Sequence, residues 1–330
     1  MSARALVALL RDPVRASALA ESEWNGIISA ARAERLLGTL AVRLEGVDVP
    51  DPVSAILADA QLDAEREKRI ALWEANRAAA ALAPLGLEPI LLKGAAYAAA
   101  GLRAGKGRMI GDLDILVPRD RLDEAEAALL AAGWEWVKPD PYDDAYYRRW
   151  MHELPPLIHR ERDRMIDVHH TILPLTARPR PDAAALITQS VELGGGLLVL
   201  SQEDRVLHAV AHMMADGDLS GGLRNLWDIR CLLADIEDKS ALDRRAAHHG
   251  LTAHLARARR LVAHVYGDGL RLTFADRLFV RRLLSRDAWG QDSRKWLGLA
   301  FYIRSHLLRM PPLMLMRHLW TKWRKGHRPA

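Results

Sequence analysis

Two carboxylates, Asp112 and Asp114, stand two residues apart in the run Gly111-Asp112-Leu113-Asp114-Ile115-Leu116-Val117. The run reads as a β-strand. Side chains alternate along a strand, so Asp112 and Asp114 share one face while Leu113, Ile115 and Val117 share the other, where a core can take them. Adjacent carboxylates repel, and each disfavours ionisation of the other. Such a pair either raises a pKa or holds a cation, and a hard divalent ion such as Mg²⁺ pairs one or two carboxylates with substrate phosphates. Two surface acids on a solvated strand end are the plain alternative, and the pair alone does not decide between them.

A second acid-bearing strand is predicted at Met165-Ile166-Asp167-Val168-His169, with Asp167 and His169 on one face and Ile166, Val168 and His170 on the other. Upstream, a buried strand over Glu88–Leu92 closes on Lys93-Gly94, followed by a short helix from Ala95 to Ala100. Then comes a loop rich in glycine and cations: Gly101, Arg103, Gly105, Lys106, Gly107 and Arg108. It is not a P-loop. The glycine spacing is one residue short, Gly107 stands where Ser or Thr should follow the Lys, and the loop leads into a strand instead of from a strand into a helix. Further along, His208 and His212 stand four apart on a predicted helix, but Ala209 occupies the place where a zinc protease needs Glu. Arg224 and Asp228, also four apart, can pair on one helix face or line a cleft.

The elements that must position these residues follow from periodicity. Leu6, Leu9 and Leu10 mark an N-terminal helix. A second helix is predicted over about Glu23–Leu44, and a long one over Pro52–Ala83 with Ile56, Ile70, Trp73 and Ala80 on its apolar face. After the acidic strand come a helix (Asp120–Ala132), a strand (Trp134–Val137), a mobile-looking loop (Lys138–Tyr147), and an edge strand within Glu153–His159 in view of Pro155 and Pro156. Residues 175–200 read as a linker, and the remainder as helices, starting at the capping-type pair Ser201 and Asp204. The expected class is α+β: a small mixed sheet (core 61–175) between an N-terminal helical region (1–60) and a C-terminal helical domain with a basic tail (176–330).

The 330 residues suffice for one or two packed cores, and half are hydrophobic. The charge of +5 suits an anionic substrate but, without a basic stripe near the core, leans away from long nucleic acids. The single Cys231 excludes an internal disulfide or Cys-based zinc site and fits a cytoplasmic setting. No run is long and apolar enough for a transmembrane helix, and the N-terminus makes a poor signal peptide. From Arg304 to Arg328, cations alternate with Leu307, Leu308, Leu313, Leu315, Leu319, Trp320 and Trp323, so this tail either docks on the protein or lies on an anionic membrane surface; docking is favoured.

Taken together, Leu91-Leu92-Lys93-Gly94, Arg108, Gly111-Asp112-Leu113-Asp114 and Ile166-Asp167-Val168-His169-His170 resemble the core of the DNA polymerase β-type nucleotidyltransferase superfamily. Within it the chain most resembles the bacterial family of uncharacterised nucleotidyltransferases, over about residues 60–265. The resemblance implies transfer of a nucleoside monophosphate from an NTP such as ATP to an unidentified hydroxyl acceptor, with Mg²⁺ or Mn²⁺ held by Asp112, Asp114 and Asp167. Lys93, Gly94, Arg108, Gly111 and His212 are the expected nucleotide contacts. A nucleotide-binding module without transfer is the alternative. Ala95 departs from the Gly-Ser or Gly-Gly turn common in the superfamily, which throws triphosphate binding onto backbone N–H groups and Lys93.

Overall fold

The structure is a computed structural model and describes residues 2–267, 269, 271–316 and 320. Its strands in chain order are β1 (Ile90–Leu91), β2 (Asp112–Leu116), β3 (Trp134–Trp136), β4 (Leu157–His159), β5 (Met165–His169), β6 (Val191–Gly194) and β7 (Leu197–Val199). Among the described residues they form one mixed sheet in the order β3-β4-β5-β2-β1-β7-β6. The fold is α+β, as expected.

The register at the centre matters most. β2 and β5 run parallel with Asp114 opposite Asp167 and Leu116 opposite His169, while β1 pairs antiparallel with β2. Paired residues on neighbouring strands point to the same face, so two acids from separate segments meet side by side. On the other face Leu113, Ile115, Ile166 and Val168 are buried. The helix Asp51–Leu82 packs against β2 and β7 and continues through the predicted boundary at residue 60. Buried residues of the N-terminal helices (Leu6, Trp24), the sheet (Ile115, Val168) and the C-terminal helices (Leu223, Leu255) belong to one connected core.

Several expectations are corrected. The segment read as a linker contributes β6 and β7, and β7 extends the sheet parallel to β1. The Gly194-Gly195-Gly196 run is the hairpin turn, with all three residues at positive φ, a region open to glycine. The mobile-looking loop is the helix Pro141–Trp150. Asp140 caps it by accepting from Tyr142 N and Asp143 N, and Pro141 takes its first turn. The strand after Pro155 and Pro156 is not an edge, since β4 lies between β3 and β5 with the prolines just ahead of it. The predicted helix over 23–44 is two helices, Glu21–Ala33 and Leu37–Arg43. Arg35 breaks it at φ 52, and Leu36 N donates to Ala31 O, a Schellman-type closure built without glycine.

The C-terminal helix Lys295–Arg309 buries Leu297 and Phe301. In the tail beyond it, Arg317, Lys322, Arg324, Lys325 and Arg328 lie outside the described residues. No helix among the described residues is long and apolar enough to cross a membrane.

Candidate active site

At the end of β1 the chain must turn sharply into the helix Lys93–Ala99. Lys93 makes that turn at φ 45. A side-chain-bearing residue in the left-handed region costs about 1 kcal/mol or more, and such strain concentrates at functional sites. Here it aims the ammonium back at β2, where Lys93 Nζ lies 2.5 Å from Asp114 Oδ1. The same oxygen meets His169 Nε2 at 3.0 Å, from β5. Asp114 is therefore buried but doubly partnered. Burial works to raise its pKa, and Lys93 and His169 overcome that, holding it well below the usual carboxylate range. Burial likewise works against the charge on Lys93, and Asp114 more than reverses it, raising Lys93 above its ordinary value.

Asp167 is in the opposite situation. Burial and the neighbouring charges of Asp114 and Glu153 push its pKa up to about 7. Asp112, Asp114 and Asp167 each offer a carboxylate oxygen within 4.8 Å of the others. Three oxygens this close, one of them destabilised as an anion by its neighbours, match what a hard cation requires. The donors are all oxygen, which fits Mg²⁺ or Mn²⁺ better than a soft ion.

Beside the acids lies a cleft of about 460 Å³. Lys93, Gly94, Arg108, Gly111, Asp112, Asp114 and His212, all singled out in the sequence, line it. Gly94 is tight: a Cβ there would sit 2.7 Å from Arg108 Nε. Gly111 faces open space. Arg108 is not committed to solvent. Its guanidinium pairs with Asp228, stacks over Tyr97, and leaves Nε buried without a partner.

The pairing expected between Arg224 and Asp228 exists at 3.1 Å, and of the two only Arg224 lines the cleft. Arg224 further reaches Thr39 Oγ1. The resulting chain Thr39–Arg224–Asp228–Arg108 ties an N-terminal helix, a C-terminal helix and the basic loop together at the cleft wall. The nearby cations are committed elsewhere, Arg164 to Glu67 and Arg108 to Asp228. His208 is buried, and burial with nearby Lys93 depresses its pKa well below the usual value.

Sequence reasoning missed the far wall. Glu34 accepts from Leu223 N at 3.0 Å and from Arg286 Nε at 2.7 Å, and with Arg35, Ser220 and Asn225 it completes the cleft. These residues have no motif. They meet only because helices far apart in the chain pack together. Glu153 was missed for a related reason: its place opposite His169 comes from one isolated bridge.

Two acids on one strand and a third on its parallel neighbour thus stand beside a cation-lined cleft. The chain belongs to the family of uncharacterised nucleotidyltransferases, whose model matches residues 20–267. That family implies an NTP as substrate. No curated protein and no solved structure matches the chain.

Proposed function

We propose that the protein transfers a nucleoside monophosphate from an NTP to a hydroxyl acceptor, with Mg²⁺ or Mn²⁺, and releases pyrophosphate. The carrying observation is the meeting of Asp112, Asp114 and Asp167 beside a cleft walled by Lys93, Arg108 and Arg224. In the reaction the acceptor oxygen bonds to the α-phosphorus, the α–β bridging bond breaks, and its electron pair leaves with pyrophosphate. The ions supply charge stabilisation at the attacking and leaving oxygens. Asp112, Asp114 and Asp167 would hold them.

Asp167, on the strand beside Asp114, is the group placed to help take the acceptor's proton. Lys93 and Arg108 bind the triphosphate by charge-assisted hydrogen bonds. His212 and Asn225 face the same space from the helical side and orient the nucleoside. The acceptor is a small molecule, a sugar, a peptide or protein hydroxyl, or an RNA end.

The test is incubation with each α-labelled NTP, Mg²⁺ or Mn²⁺, and a cell extract. Label appearing in an acceptor, with one pyrophosphate released per transfer, is the expected result. Metal-dependent NTP binding with no pyrophosphate over a broad acceptor panel would point instead to a nucleotide-binding module.

A second expectation concerns pH. Metal-free Asp167 holds a proton up to about pH 7, and a cation must displace it. Metal affinity should therefore rise about tenfold per pH unit below that value and level off above it. Calorimetric Mn²⁺ titrations between pH 5.5 and 8.5 read the slope, and a flat profile removes Asp167 from the metal site.

A further inference from the structure

On the other side of His169 from the carboxylate triad lies a second cluster, His152, Glu153 and His169, with ligand atoms all within 4.8 Å of one another. Glu153 Oε2 stands 3.4 Å from His169 Nδ1 and 3.6 Å from His152 Nε2. Both separations are long for hydrogen bonds. They are close to the edge of a tetrahedron around a zinc ion, about 3.3–3.5 Å for bonds of about 2.0–2.1 Å.

The imidazoles are sealed. The His169 side chain is 1 % exposed, and its Nδ1, aimed at Glu153, has no hydrogen-bond partner. His152 Nδ1 is likewise buried without a partner. Glu153 keeps 19 % of its side chain exposed, which leaves an entry path and room for a fourth ligand from solvent.

The backbone fixes this arrangement. Glu153 bridges His169 across the sheet, His170 N donates to His152 O at 2.9 Å, and Leu154 N donates to Val168 O at 2.9 Å. The His169 Nε2 contact with Asp114 supplies what a metal-bound histidine commonly has, a carboxylate that fixes its tautomer and ring orientation.

We propose that His152, Glu153 and His169 form a second metal site, separate from the all-oxygen triad, that takes Zn²⁺. Two imidazoles and one carboxylate suit zinc and disfavour Mg²⁺. The ion locks the ring that hydrogen-bonds Asp114, and so positions a ligand of the neighbouring triad. This assignment is a statement about binding and stands or falls apart from the transferase reading.

The experiment uses the full chain, stripped of metal and then dialysed with one equivalent of ZnCl₂ against excess Mg²⁺. Zinc is counted by elemental mass spectrometry, and affinity is measured against a chromophoric chelator. One Zn²⁺ per chain is expected, retained in Asp112→Asn. Affinity should fall by more than the about 10–100-fold typical of losing an outer partner in Glu153→Gln and in His152→Ala. Glu153→Gln keeps the side chain's shape, so it stays informative if His152→Ala fails to fold. Cobalt substituted for zinc should show the intense visible bands of a four-coordinate ion. Absence of stoichiometric zinc, zinc retained at full affinity in Glu153→Gln, zinc lost in Asp112→Asn, or an octahedral cobalt spectrum each overturns the site. The first of these leaves His169 bridging Asp114 and Glu153 without an ion.

Discussion

Asp167→Asn will abolish nucleotidyl transfer and, in the metal-free protein, raise stability. On the proposed function, the activity loss follows from removing both a cation ligand and the proton acceptor. With several kcal/mol of charge stabilisation at stake, a drop of at least about 10³ in turnover is expected. The stability gain follows from the pKa. A carboxyl whose folded pKa is pushed up from 3.8 to about 7 contributes full stability below the unfolded value, and loses it as pH rises through the folded value.

At pH 8 the wild-type chain thus carries a penalty that the neutral amide lacks. About 1–2 kcal/mol is expected once relaxation and solvent around the partly exposed group are allowed for. Toward pH 4 the folded carboxyl is neutral and the unfolded one about half so, and the difference becomes small. Thermal unfolding in chelator from pH 4 to 8 tests this. A variant less stable than wild type at pH 8 would mean that Asp167 is not strained by its neighbours, and the argument for a cation there would lose its physical ground.

Opposite signs for activity and stability would mark a site built for a ligand that the fold itself does not need. They also bear on what could be read in advance. Asp112 and Asp114 were legible because strand alternation places them on one face whatever the fold. Asp167 was legible as a candidate because Ile166, Val168 and the alternation around it mark a strand, but its register against Asp114 is a tertiary fact. The helix Pro141–Trp150 carried a readable signal in Asp140-Pro141, which the density of Pro, Asp and Tyr obscured. The β6–β7 hairpin was harder. Its strands are three and four residues long, too short for periodicity to separate from a loop. The break at Arg35 carried no signal at all, because the left-handed position is filled by a residue that ordinarily continues a helix. The cleft wall of Glu34 and Arg224 depends on contacts between segments nearly 190 residues apart, such as Leu223 N with Glu34, and no local pattern encodes those.

The largest loss of stability should come from Asp114, not from the residue that shares its sheet pairing. Asp114→Asn removes the anion that Lys93 and His169 both address. It leaves the Lys93 ammonium beside a neutral amide in a setting where burial alone disfavours the charge. Breaking a buried pair from one side costs about 3–5 kcal/mol. Because Lys93 keeps 22 % of its side chain exposed, about 2–4 kcal/mol is the expectation here. Lys93→Met should cost less, since Asp114 then still accepts from His169.

The double variant Lys93→Met/Asp114→Asn removes both charges. It should recover about half or more of the Asp114→Asn loss, because replacing a whole buried pair by neutral groups is far cheaper than orphaning one member. Denaturant unfolding of the four proteins measures the coupling. A double variant no more stable than Asp114→Asn would show that the loss comes from packing or from His169, and that Lys93 is held at its left-handed turn for some purpose other than neutralising Asp114. With the coupling present, Lys93 is what neutralises Asp114 in the metal-free protein. On the proposed function, ions bound at Asp114 would take over that role and free the Lys93 ammonium for a triphosphate in the cleft it lines.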